Sequence, residues 1–280
     1  MSENIWTAIG PEDYAEPQCL LCGEHYGEAP KVKSVPLQRI AQKLDEYWGA
    51  RDYAGAERHL LYWLEEAKLG HDERGEFMIR NELMGHYRKL GKEAEAIAQA
   101  EAALRLVQGM EEDSISAATC YVNAATVYHA FSRASAAMPY FEQAKAIYEK
   151  KLPATDSRLG GLYNNMALAL TALRRYGEAY EYYQKALKVM AQAENGAMEQ
   201  AITHLNIANA VEAEHGLEKG AEKIDRCLET AQKLLDEPTL PRSGYYAFVC
   251  EKCAPTFDYY GWFFYAGELK NRAEEIYERA

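Results

Sequence analysis

A small residue recurs along this chain at Ala56, Ala96, Ala137, Ala179, Gly220 and Ala273, at intervals of 40, 41, 42, 41 and 53 residues. Four residues beyond each stands Leu60, Ala100, Phe141, Tyr183, Ile224 or Tyr277, and seven beyond stands Trp63, Ala103, Ala144, Ala186, Cys227 or Ala280. Nine residues before each lies Tyr47, Tyr87, Tyr128, Leu170, Val211 or Phe264, and twelve before lies Leu44, Met84, Ala125, Ala167, Ala208 or Gly261. Offsets of three, four and seven keep residues on one face of a helix. A small residue lets two helices approach closely, and the large residue behind it fills the groove that remains. A helix hairpin built this way leaves one apolar face uncovered, so it must stack on a neighbour. A fixed register held over six units therefore predicts a single array of six antiparallel hairpins.

The clearest unit, YNNMALALTALRRYGEAYEYYQKAL from Tyr163 to Leu187, is preceded by YVNAATVYHAFSRASAAMPYFEQAKAI from Tyr121 to Ile147. These columns resemble the tetratricopeptide repeat, with a period longer than the usual 34 residues and close to the roughly 42-residue kinesin-light-chain-like variant. The resemblance spans about 34–280. It implies an all-α, right-handed superhelical solenoid whose first helices line a concave surface that takes a protein or peptide.

The expected hairpins occupy about 36–69, 73–109, 113–151, 156–193, 198–236 and 243–280, after a non-helical tail over 1–33. Ser34 is the expected N-cap of the first helix, with Pro36 in its first turn. The breaks carry turn chemistry, as in Leu69-Gly70-His71-Asp72 and Leu152-Pro153-Ala154-Thr155-Asp156. The long last interval contains Asp236-Glu237-Pro238-Thr239-Leu240-Pro241.

Three successive units carry asparagine fourteen residues before the small residue: Asn123, Asn165 and Asn206. An amide offers both donor and acceptor, which suits a peptide backbone, and kinesin-light-chain-like repeats carry asparagine in a comparable place. The same residue type in one column also suits a structural role, bonding one hairpin to the next. Thr126, His129, Asn164, Leu168, Thr171 and Asn209 flank the column and complete the expected peptide groove, with His129 a groove residue and not a ligand.

Cys19-Leu20-Leu21-Cys22-Gly23 has the form of a zinc knuckle, and Cys250-Glu251-Lys252-Cys253 places two sulfurs on one helix face. Cys19, Cys22, Cys250 and Cys253 could together form one structural zinc site, with His25 an alternative ligand, clipping the tail to the last hairpin in the same or a second subunit. Two separate unmetallated pairs, or redox-labile thiols, are the other readings. Cys120 and Cys227 fall in packing positions.

The net charge of -12 repels phosphate backbones and anionic lipid, so neither nucleic acid nor membrane is an expected partner. The start MSENIWTAIGPEDYAEP has no secretory pattern, so the expected location is cytoplasmic. No P-loop, nucleophile elbow or zinc-protease motif is present, so a non-catalytic scaffold is expected. Two alternatives stay open. One is a peptide-gated regulator. The other is a structural subunit, as in a homodimer, that self-associates through the run Tyr259-Tyr260-Gly261-Trp262-Phe263-Phe264-Tyr265, although those residues also fit a hairpin core.

Overall fold

A computed structural model describes residues 32–109, 114–194 and 196–279. Twelve helices and no strand occur among the described residues: α1 (Leu37–Gly49), α2 (Tyr53–Leu69), α3 (Glu73–Lys89), α4 (Glu93–Val107), α5 (Ile115–Ala130), α6 (Ala134–Lys151), α7 (Ser157–Ala172), α8 (Tyr176–Met190), α9 (Gly196–His215), α10 (Leu217–Leu235), α11 (Gly244–Tyr259) and α12 (Phe263–Tyr277). They pair in order as six hairpins, α1–α2 through α11–α12, and each hairpin packs on the next. The expected all-α superhelical array is what the chain forms. Of the expected 1–33 tail, only Val32 and Lys33 are described, and both are non-helical.

Short polar residues start several helices. Asp52 Oδ1 accepts from the Gly55 amide at 2.7 Å, Ser114 Oγ from Ala117 at 3.1 Å and Asp156 Oδ1 from Arg158 at 3.0 Å. Asp72 does more: it accepts from Gly75 at 2.9 Å to cap α3 and from the Val35 amide at 2.8 Å, tying the segment before α1 to the second hairpin. The expected cap at Ser34 is not formed. Helix α1 begins at Leu37 behind Pro36, which has no side-chain cap bond.

Each hairpin turn passes through one residue in the left-handed region: Arg51, Gly91, Ser132, Arg174, Gly216 and Gly261, with φ between 56° and 85°. Glycine takes this conformation freely, while a side chain there meets its own backbone.

The structure corrects the register of the sixth unit. In hairpins one to five the small residue is the fourth residue of the second helix, whereas in α12 that place belongs to Ala266, not Ala273. The second helices begin at 53, 93, 134, 176, 217 and 263, so the last interval is 46 residues and not 53. Seven residues is nearly two helical turns, so Ala266 and Ala273 lie on one stripe and both are buried. With Ala266 as reference, the two earlier columns fall on Ala254 and Phe257, both fully buried, while Phe264 is 98% exposed.

The core runs as a ribbon between the helix layers. Leu60, Ala100, Phe141, Tyr183 and Ile224 are buried behind the small residues. The same column in α12 holds exposed Lys270, where no further hairpin follows among the described residues.

Candidate peptide groove

First helices of successive hairpins contact one another, α3 with α5, α5 with α7, α7 with α9 and α9 with α11, whereas successive second helices make no comparable contact. The stack therefore curves with α1, α3, α5, α7, α9 and α11 on its inner side. One inward column reads Gln42, Glu82, Asn123, Asn165, Asn206 and Lys252, and helical geometry places residues four before, three after and seven after each on the same face. That face carries Gly85, Thr126, Ala130, Gly161, Ala172, Asn209 and Ala213, an open floor of small and polar side chains with the larger Leu168 set among them. Two large apolar side chains stand at its ends, Met78 on α3 and Phe248 on α11, 41% and 40% exposed.

The asparagines do sit together, half-buried, but they are bonded from hairpin to hairpin. Asn123 Nδ2 donates to Asn81 Oδ1 at 3.0 Å, and Asn206 Nδ2 donates to Asn164 Oδ1 at 3.0 Å. Asn165 Nδ2 reaches Thr126 Oγ1 at 3.5 Å, the long limit for such a bond. Each bond uses one of the two amide hydrogens, leaving the second donor for another group. Asn81 is a ladder member that the columns do not mark, because it lies one position out of register with Asn123 and turns back to the Phe77 carbonyl at 2.9 Å. Asn164 is buried, at 9% exposure, so it acts from beneath the groove floor.

The other expected groove residues divide. Thr126 and Thr171 hydroxyls donate to the Val122 and Ala167 carbonyls one turn back. Leu168 is half-buried on the inner face of α7. Asn209 Oδ1 accepts from the Tyr260 hydroxyl at 3.0 Å, and the same hydroxyl reaches Glu212 at 2.8 Å, binding α9 to the last hairpin. Burial holds the His129 imidazole below its usual pKa, and its Nδ1 is buried without a hydrogen-bond partner among the described residues. Glu82 lies near the Asp45 carboxylate, and burial with that like charge raises its pKa. The inner surface thus carries Asp45, Glu82 and Lys89 at the first hairpins, amides in the middle and Lys252 at the last.

Half of the expected thiol set, Cys19 and Cys22, lies outside the described residues, as does His25. Cys250 and Cys253 share one face of α11, as their spacing predicts, but that face is packed into the core with Met198, Tyr246 and Phe257. Burial pushes their thiols up to about 11 and about 12. Among the described residues, no three His, Cys, Asp or Glu side chains are arranged to hold a metal ion. Cys120 is a buried thiol, and Cys227 half-buried. The aromatic run is split: Tyr265 is buried, while Tyr259, Phe263 and Phe264 are exposed.

Two clefts between hairpins were not legible in the sequence. One of about 570 Å³ is lined by Leu104, Gln108, Tyr121, Tyr140, Gln143 and Ile147. The other, of about 360 Å³, lies between α8, α9 and α10, against His204, Arg226 and Cys227. No described helix is long and apolar enough to cross a membrane.

Family models described as tetratricopeptide repeat match residues 77–150 and 160–195. No curated protein matches the chain in sequence. Among solved structures, the chain is similar to the nearly identical TPR-like repeats of a kinesin light chain from Podosopora anserina, with 19% identity, 70% of this chain and 92% of that one covered, and a TM-score of 0.48. It is also similar to BtubC (BKLC) from P. vanneervenii, with 18% identity, coverage of 87% and 91%, and a TM-score of 0.47.

Proposed function

The chain is a tetratricopeptide-repeat protein, and from that premise we propose that its inner surface binds an extended peptide segment of a protein partner. Repeats of this kind serve as scaffolds for protein interaction. The observation that carries the finer reading is the floor of the curved surface. Thr126, Gly161, Ala172 and Ala213 leave space there beside the apolar Leu168, and the amides of Asn123, Asn165 and Asn206 keep a second N–H for a ligand carbonyl. Amide contacts hold a backbone without reading its sequence, so specificity falls to side-chain pockets and to the charged groups at the two ends, Asp45, Glu82 and Lys89 at one and Lys252 at the other. No step of this reading requires catalysis.

Selection from a library of displayed random peptides tests it. Peptides selected on the wild type are expected to lose at least tenfold in affinity on Thr126→Arg and Leu168→Arg, which fill the floor, and to keep it on Glu181→Arg, on an exposed position of the outer helix α8. Equal binding by all three variants would falsify the inner-surface assignment.

A further inference from the structure

In an open solenoid each hairpin touches only its sequence neighbours. Here the first and last hairpins also touch. Arg51, in the turn between α1 and α2, donates from Nη2 to Glu251 Oε1 of α11 at 2.6 Å, across 200 residues of sequence. The same guanidinium lies 4.6 Å from the ring centroid of Tyr277 in α12, and the Tyr277 hydroxyl donates to Glu251 Oε2 at 3.1 Å. One hairpin along, the Lys89 ammonium of α3 lies 4.9 Å from the Tyr53 ring and 6.0 Å from the Phe248 ring of α11. Lys89 and Phe248 both belong to the inward face, so this second contact crosses the interior of the curve.

We propose that these contacts form a latch that closes the six hairpins into a ring around the inner surface, and that opening the latch admits a partner to it. An ion pair, a stacked guanidinium and a hydrogen bond converge on Glu251 and Tyr277, each on a different atom or face. The backbone bears on this too. Arg51 occupies the left-handed turn position, φ 56°, that two other hairpins fill with Gly91 and Gly261. Glycine would make this turn freely, but only a long cationic side chain reaches the last hairpin from it. Arg174 holds the same turn position in the fourth hairpin, φ 59°, and makes no ion pair among the described residues. The strain alone therefore does not mark a latch, and Arg174 is the built-in control. The Arg51 and Glu251 side chains are 48% and 41% exposed, so salt screens their attraction and the closure is readily reversible.

The closed shape stands by itself. The gating of a ligand rests on the peptide reading above, and separate measurements decide the two. Small-angle X-ray scattering on the full chain reads the shape. Wild type is expected to be compact at low ionic strength and to gain radius of gyration near 1 M salt, where charges are screened beyond about 3 Å. Arg51→Glu sets two carboxylates against each other and is expected to be expanded already at low salt. Glu251→Gln, with almost the native shape, gives a smaller shift in the same direction. Arg51→Glu combined with Glu251→Arg is expected to lie nearer wild type than Arg51→Glu alone, and Arg174→Glu to match wild type. Circular dichroism confirms that each variant keeps its helices. A low-salt radius for Arg51→Glu equal to wild type, or an equal expansion in Arg174→Glu, overturns the latch. If scattering behaves as expected and the peptide selection fails, the ring stands and only its gating role is lost.

Discussion

Replacing Phe141 with alanine is expected to destabilise the array by about 3–5 kcal/mol, the usual range for removing a fully buried phenylalanine ring. Phe141 is completely buried on α6, in a cluster with Ala118, Ala125, Leu162 and Met166, so its ring is shared between the third and fourth hairpins. The neighbours are helix faces fixed by their own alanine contacts and cannot fully close over the space. Because stability in such an array is a sum of hairpin and interface terms, the loss falls on one joint. A denaturant titration followed by circular dichroism is expected to shift to a lower midpoint and to broaden or split as the two halves uncouple. Phe141→Leu, which keeps most of the volume, is expected to recover a large part of the loss.

The second large effect separates the two registers of the last hairpin. Phe257→Ala is expected to lose about 3–5 kcal/mol locally, because Phe257 is fully buried and packs against Trp262 and Tyr265 at ring-centroid distances of 5.7 and 4.8 Å. Phe264→Ala is expected to stay within about 0.5 kcal/mol of wild type, because its ring is almost entirely in water. The column arithmetic of the sequence predicts the reverse, with Phe264 in the core. Native-state hydrogen exchange of α11 and α12 in the two variants distinguishes them: accelerated exchange in Phe257→Ala alone supports the 46-residue interval. Fraying of this hairpin also removes Glu251 and Tyr277 from Arg51, so Phe257→Ala is expected to expand the molecule as well.

The fold was largely legible because small residues at the helix crossings must recur wherever a hairpin is repeated, and five of six units keep them in one column. The sixth slipped because seven residues nearly equal two turns, so Ala273 mimics Ala266. The turn would have settled it, since Gly261 precedes Ala266 by the same five residues that separate Gly91 from Ala96. The groove was half legible. The asparagine column marks an inner face, but pairing Asn123 with Asn81 and Asn206 with Asn164 joins neighbouring columns, which only the stacking geometry aligns. The spacing of Cys250 and Cys253 gave a shared face correctly but not its direction, which the packing of α11 against its neighbours turns inward. Ring closure was not legible at all. It is the sum of small rotations over six hairpins, and no local pattern around Arg51 names Glu251 as its partner.

The most direct measurement places a photo-reactive benzoylphenylalanine at one position of the full chain, either Leu168 on the inner face of α7 or Glu181 on the outer helix α8, and irradiates each in cells of the native host. A protein adduct is expected from position 168 and none from position 181. An adduct from 181 alone, or from neither, contradicts the inner-surface assignment.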